Sequence, residues 1–212
     1  MRTETIEYTV YTYDELSDDA KENVKQWYLN VMSSDMVCDF SNDVKNDLFN
    51  LFGENDLNVQ YSLSYCQGDG LNIYGEIDAE SIFRYIGENG KQFANASTYP
   101  KALTEDEKQT ILSYAKDCPN IKIPENRPYC YCIADRIDIV DAWSYELELG
   151  SYSDIDHDLL YKFECLVRNI FECLCRDYEK WGYEYFYEID DETMSEICTM
   201  NDWEFLFDGT RF

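Results

Sequence analysis

Like charge is what this chain must fold against. It carries 44 Asp and Glu but 17 Lys and Arg, a formal net charge of −27 over 212 residues, where a small soluble domain carries about 2–8 in magnitude. Repulsion on that scale destabilises any compact body. Disorder would tolerate it, but disorder goes with few aromatics and low hydrophobicity. Here aromatic residues make up 16% and hydrophobic residues 45%, with 19 Tyr, 11 Phe and 4 Trp. The chain is therefore expected to fold with an acidic surface and to find its counter-charge in a basic partner. The same charge argues against direct binding to nucleic acid or to an anionic membrane, because phosphates repel it. No run of about 18 apolar residues marks a transmembrane helix. No apolar leader follows Met1, so a cytoplasmic protein is expected.

Nine cysteines without a leader do not suggest a disulfide framework. Cys130/Cys132 and Cys173/Cys175 have C-x-C spacing, and none has the C-x-x-C spacing of a zinc knuckle. The expectation is buried free thiols, with no metal and no cofactor.

The patterning predicts one α+β domain over 1–212, a mostly antiparallel sheet with helices packed on one face. Residues 6–13, β-branched and aromatic, read as a strand. Ser17 is placed to cap a helix to about Val31, buried through Ala20, Val24, Trp27, Tyr28 and Val31. A second helix is expected over 36–52, ended by Gly53. Residues 57–66 and 71–77 read as strands of a hairpin joined at Gln67-Gly68-Asp69-Gly70. A short helix follows over 79–88, then an irregular stretch over 89–102. Thr104 and Glu107 form a capping box that opens a helix to about Lys116, and a short strand is expected near 120–123. Residues 129–149 read as a long strand region able to pair with the hairpin. Ser153-Asp154 is placed to cap the longest helix, 155–181, whose apolar residues recur with a 3.6 period from Ile155 to Trp181. A short helical piece near 191–199 and a last strand, 203–207, complete the chain.

Within the second helix Asp35, Asp39, Asp43 and Asp47 recur at i, i+4 and share one side, opposite a buried stripe of Val37, Phe40, Val44, Leu48 and Leu51. Successive carboxylates stand about 6 Å apart along the axis, close to the spacing of phosphates on a nucleic-acid strand. Such pairs weaken a helix by roughly 0.2–0.5 kcal/mol each, and Lys45 lies at neither i±3 nor i±4 of any of them. Two readings stand: a phosphate-like row for the Lys and Arg of a partner, or a solvated acidic face. A second acidic block, 183–208, includes Glu184, Glu188, Asp190, Asp191 and Glu192 with no Lys or Arg among them, interleaved with Tyr183, Tyr185, Phe186 and Tyr187. Aromatic anchors among acids suit a protein–protein surface; the plainer reading makes those aromatics core.

Catalytic signals are weak. His157 is the single histidine and falls in the first turn of the long helix. Asp154, Asp156 and Asp158 have alternate spacing like a calcium loop, but no Gly follows at the turning position.

The stretch Tyr11-Thr12-Tyr13-Asp14-Glu15-Leu16-Ser17-Asp18-Asp19-Ala20-Lys21-Glu22, the segment from Tyr61 to Gly75 with its Gln-Gly-Asp-Gly, and the ending Phe207-Asp208-Gly209-Thr210-Arg211-Phe212 together resemble a loose group of phage- and prophage-encoded proteins. Some members are labelled antitoxin of a toxin–antitoxin stability system. The resemblance covers both ends and part of the middle, not 78–200, and Cys66 stands where the group tends to have Ser. It implies a phage accessory protein rather than an activity, and makes Gln67, Gly68, Asp69 and Gly70 a group-specific hairpin site, although a turn explains the glycines equally.

The leading expectation is a phage-encoded, non-enzymatic inhibitor of a host nucleic-acid-binding defence protein, of anti-CRISPR or anti-restriction type, acting by acidic mimicry. Its partner is a basic host protein, a nuclease or another nucleic-acid-binding effector. The alternatives are an antitoxin-like protein that masks one toxin, and a small-molecule enzyme using the hairpin. Exposed Tyr and Phe also suit a homodimer.

Overall fold

The structure, a computed structural model, describes residues 7–93, 103–150, 152 and 154–212, without the side chains of 33–35 and 89–93. It is α+β, with six α-helices and one three-stranded antiparallel sheet among the described residues. The chain groups into two compact units, residues 1–40 with 182–212, and residues 41–181. Neither junction is legible as a linker, because each falls inside a helix: α1 (Asp18–Phe52) and α5 (His157–Tyr187).

The two helices expected over 17–31 and 36–52 are one, α1. No Gly or Pro interrupts it before Gly53, and Ser33-Ser34 is too weak a break to stop a helix of 35 residues. Gly53 ends it as expected, at φ +76° with its N–H on the Phe49 carbonyl at 2.7 Å. The Phe52 carbonyl then accepts from Asn55 Nδ2 at 2.8 Å and from the Arg84 guanidinium. Two residues of the expected buried faces are outside: Val31 is 59% and Val37 47% exposed, while Ala20, Val24, Phe40, Val44 and Leu48 are buried.

In the smaller unit the expected strand over 6–13 does not form among the described residues. Glu15 turns back on Thr12, taking its N–H at 2.8 Å and its hydroxyl at 3.0 Å, and starts a short 3-10 turn at Tyr13–Glu15. What remains is a bridge, Tyr11 to Phe205, and a second from Phe205 to Arg211 replaces the last strand expected over 203–207. Tyr13, Leu16, Ala20 and Val24 bury against Met194 and Cys198 of α6 (Asp191–Met200) and against Phe205.

In the larger unit β1 (Asp56–Ser62) and β2 (Gly70–Ile77) pair in register Asp56↔Glu76 through Ser62↔Gly70, and β3 (Ile121–Ile123) pairs with the far edge of β2. The antiparallel hairpin is found, but the first strand expected over 57–66 ends at Ser62, and 63–66 belong to a loop longer than the expected 67–70. Helix α2 runs Ala79–Phe93, and α3 (Glu105–Tyr114) opens on the expected Thr104–Glu107 box.

The expected strand region 129–149 is overturned. It holds a 3-10 turn at Ala134–Arg136 and the helix α4, Val140–Leu149. Ile139, Trp143 and Leu147 are buried at i, i+4 spacing, a helical stripe inside a β-branched sequence. Its first N–H groups find their acceptor on another element. Glu164 of α5, itself buried, accepts from Ile139 N–H at 2.7 Å and Val140 N–H at 3.0 Å, and Arg168 holds the same carboxylate at 2.7 Å. Cys130 and Cys132, expected in that strand, lie in irregular backbone. Helix α5 begins later than read, with Asp156 accepting from Leu159 N–H at 2.9 Å in place of the Ser153-Asp154 cap; Ser153 itself lies outside the described residues.

Candidate functional site

The smaller unit holds 18 acidic and 4 basic residues by sequence, a formal −14. Its three described cations all face its own side chains. Lys25 pairs with Asp191 at 2.5 Å. Lys21 sits over the Tyr13 ring at 5.5 Å. Arg211 lies 4.7 Å from the Trp203 ring centroid and 5.4 Å from that of Trp27, the two indoles meeting edge-on. Such stacking uses the cation as a fastener for aromatic surface, so the outward acids keep their charge. Arg2, the fourth, lies outside the described residues.

The predicted acids of the C-terminal block divide by what they touch. Asp190 caps α6, taking Thr193 N–H at 2.7 Å and its hydroxyl at 3.1 Å. Asp191 accepts from Lys25 and from the Tyr13 hydroxyl at 2.9 Å. Hydrogen bonding holds both carboxyls below the usual range, Thr193 N–H foremost for Asp190 and Lys25 foremost for Asp191. Glu184, Glu188 and Glu192 are exposed, as is Glu196. Glu188, Glu192 and Glu196 make no side-chain hydrogen bond or ion pair among the described residues. Glu188 and Asp190 also line a cleft of about 340 Å³ with Glu22, Lys25, Leu29 and Tyr187.

The aspartate ladder is less uniform than its spacing suggests. The Asp35 side chain lies outside the described residues. Asp39 in the smaller unit and Asp43 in the larger are exposed. Asp47 accepts the Tyr178 hydroxyl of α5 at 2.5 Å, which is where an otherwise buried phenol finds its acceptor.

The Gln67–Gly70 hairpin lies in the larger unit. Asp69 organises the loop: Ser62 Oγ donates to it at 2.6 Å, Ser64 N–H at 2.7 Å and Cys66 N–H at 2.6 Å. These bonds, Cys66 N–H foremost, lower its pKa. Gly68 and Gly70 have φ of +92° and +144°, and a Cβ on either would meet Tyr129 or the backbone of Tyr131. Those two tyrosines are stacked with centroids 5.7 Å apart and both reach solvent. Two amides, Gln60 and Asn72, knit the 124–133 segment to the hairpin, and Asn126 braces the segment internally. Gln60 Nε2 donates to the Asn126 and Tyr129 carbonyls at 2.5 and 2.8 Å; Asn126 Nδ2 donates to Tyr131 at 2.8 Å; Asn72 donates to Pro124 at 3.0 Å and accepts from Ile133 N–H at 3.1 Å. The sequence marked the glycines and Asp69, but not the tyrosines, which are some sixty residues away along the chain.

Two further features belong to the larger unit. His157 Nδ1 and Ser144 Oγ are 3.1 Å apart on an exposed surface. A cleft of about 550 Å³ is lined by Asp78, Ser81, Arg84 and Lys116 among others; Asp78 and Ser81 are bonded to each other there, at 2.8 Å. Among the described residues no group of three or more His, Cys, Asp or Glu is placed to hold a metal ion, and no helix is long and apolar enough to cross a membrane.

Compared with family models, curated proteins and solved structures, the chain matches none.

Proposed function

We propose that this protein is a non-catalytic inhibitor that presents its smaller, acidic unit to the cationic nucleic-acid channel of a host defence nuclease, as a phage-encoded accessory protein would. The observation that carries this reading is that Lys21, Lys25 and Arg211 are each engaged by a side chain of their own unit, while Glu188, Glu192 and Glu196 are exposed and make no side-chain hydrogen bond or ion pair among the described residues. A unit that needed charge only for solubility would gain nothing by occupying its described cations with its own side chains. Electrostatic steering makes such a partner fast to find and sensitive to salt. Helices against one face of the sheet belong to the same reading, supported by the contact of Cys175 on α5 with Ile73 on β2.

The test uses purified Cas effectors and restriction nucleases with a labelled DNA substrate. Glu188, Glu192 and Glu196 are the residues to reverse to Lys, because Asp190 and Asp191 are engaged within the fold. Inhibition that falls at least tenfold in the triple variant, and falls with rising salt, is the expected result. Undiminished inhibition by the variant excludes the unit as the contact.

A second reading, masking of one toxin through apolar contacts, is favoured by Phe207. It stands 77% exposed on the turn closed by Leu206 N–H to Thr210 O at 2.8 Å. A complex that survives high salt and is lost in Phe207→Ala would decide for it. The enzyme reading has less support, since all three donors around Asp69 keep its carboxylate occupied in the loop.

A further inference from the structure

Two cysteines 43 positions apart meet at one point of β2. Cys175 of α5 is buried, and its Sγ accepts the Ile73 N–H at 3.4 Å. Ile133 donates its N–H to the side chain of Asn72, the residue before Ile73, at 3.1 Å, which seats its neighbour Cys132 against the same stretch of strand. The two thiols lie close enough for each to shift the other's protonation. Cys132 is half-buried, so it is the one of the pair that solvent reaches.

We infer that Cys132 and Cys175 form a peroxide-sensitive thiol pair, oxidised by hydrogen peroxide to an intramolecular disulfide that ties the 124–133 segment to α5. Hydrogen bonds from Cys175 and from the Ala134 N–H pull the Cys132 thiol below its ordinary value, whereas the bond to Cys132 and burial push Cys175 up. Cys132 is therefore the attacking thiolate. Its sulfur takes one peroxide oxygen, the O–O bond breaks, hydroxide leaves and Cys132 becomes a sulfenic acid. Cys175 gives up its proton and attacks that sulfur; the S–S bond forms, the S–O bond breaks and water leaves. Two thiols lose two electrons and two protons, and one peroxide becomes two waters. Burial makes Cys118 and Cys198 poor competitors, with thiols pushed up to about 11. The tied segment carries Tyr129 and Tyr131, so oxidation state is linked to the tyrosine surface beside the hairpin.

The experiment uses the full chain with the exposed Cys38 and Cys66 replaced by Ser, which leaves seven of nine thiols. After a hydrogen peroxide pulse the denatured protein is titrated with a thiol reagent, and its non-reduced peptides are mapped by mass spectrometry. The expected result is a fall from seven thiols to five with a peptide joining 132 to 175. In Cys132→Ser the peroxide-dependent loss disappears. In Cys175→Ser, Cys132 stops at a sulfenic acid that dimedone traps. Cys132→Ser alters the half-buried partner, so it keeps the test sound if the buried Cys175→Ser fails to fold. Unchanged thiols, a cross-link through other cysteines, or Cys132 carried to sulfinic acid with no cross-link overturns the proposal.

Discussion

The two units carry almost equal charge on very unequal bodies. The smaller has 18 acids and 4 bases in 71 residues, a formal −14; the larger has 26 acids and 13 bases in 141 residues, a formal −13. They also use their cations differently. In the larger unit Lys162 meets Glu107 at 2.8 Å and Arg168 meets Glu164 at 2.7 Å, so bases neutralise acids. In the smaller unit two of three described cations lie on aromatic faces, where they add packing, although Lys21 also helps to lower Asp191. The lesson is that net charge alone does not identify an interaction surface. The larger unit offsets part of its acidity with ion pairs of its own, while the smaller keeps its charge exposed and relies on stacking and caps for cohesion.

The largest effects should come from the larger unit's core. Phe171→Ala removes a fully buried ring stacked on Phe52 and should cost about 3–5 kcal/mol. Hydrogen exchange should show the loss over 41–181. Equal loss over both units would break the contrast and make the chain one cooperative body. Glu164→Ala leaves Arg168 and two N–H groups of α4 without their carboxylate, and should cost about 3–5 kcal/mol, as breaking a buried pair does. Circular dichroism should register a shortened α4, and Glu164→Gln should recover part of the loss.

Smaller effects sharpen the other side. Gly209 sits at φ +85°, and a Cβ added there would clash with the Ala20 carbonyl oxygen. Gly209→Ala should therefore cost about 1–2 kcal/mol from the left-handed backbone alone, read as a lower urea midpoint for the smaller unit. Arg211→Ala should cost about 0.5–2 kcal/mol, the range of a cation over an aromatic face, with a shift in Trp27 and Trp203 fluorescence. Arg211→Lys should recover part of it.

Acid titration should separate the units last. Glu15, Asp190, Asp191 and Asp208 of the smaller unit all have carboxyls lowered by hydrogen bonds. Depressed folded values mean that their stabilisation is present above the unfolded values, about pH 4, and is lost as pH falls through the folded ones. The larger unit has carboxyls lowered in the same way at Asp69 and Glu107, but its Glu179 is shifted the other way, raised by burial and then by Asp69, so Glu179 penalises folding at neutral pH and that penalty is relieved on acidification. Unit-resolved hydrogen exchange from pH 6 to pH 3 checks the difference, and Asp191→Asn should flatten the smaller unit's dependence.

What was legible in the chain was local. Acidity, the Gly53 stop, the Thr104–Glu107 box, the antiparallel hairpin and the period of α5 each depend on neighbours a few positions away, and each is found. Helix α4 was not legible, because β-branched Ile133, Ile137 and Ile139 look like strand and the acceptor that starts the helix, Glu164, comes from α5. The ladder shows the same limit. Its i, i+4 spacing is a property of the sequence, but the Tyr178 hydroxyl on Asp47 is a property of the packed larger unit. So too with the cations: composition counts them, and only tertiary contacts decide whether Lys25 and Arg211 face a partner or their own aromatic and acidic neighbours. Short-range hydrogen bonds and periodicity act between residues close in the chain and can be read there; counter-charges, borrowed caps and thiol pairs act between residues brought together by burial, and folding alone selects them.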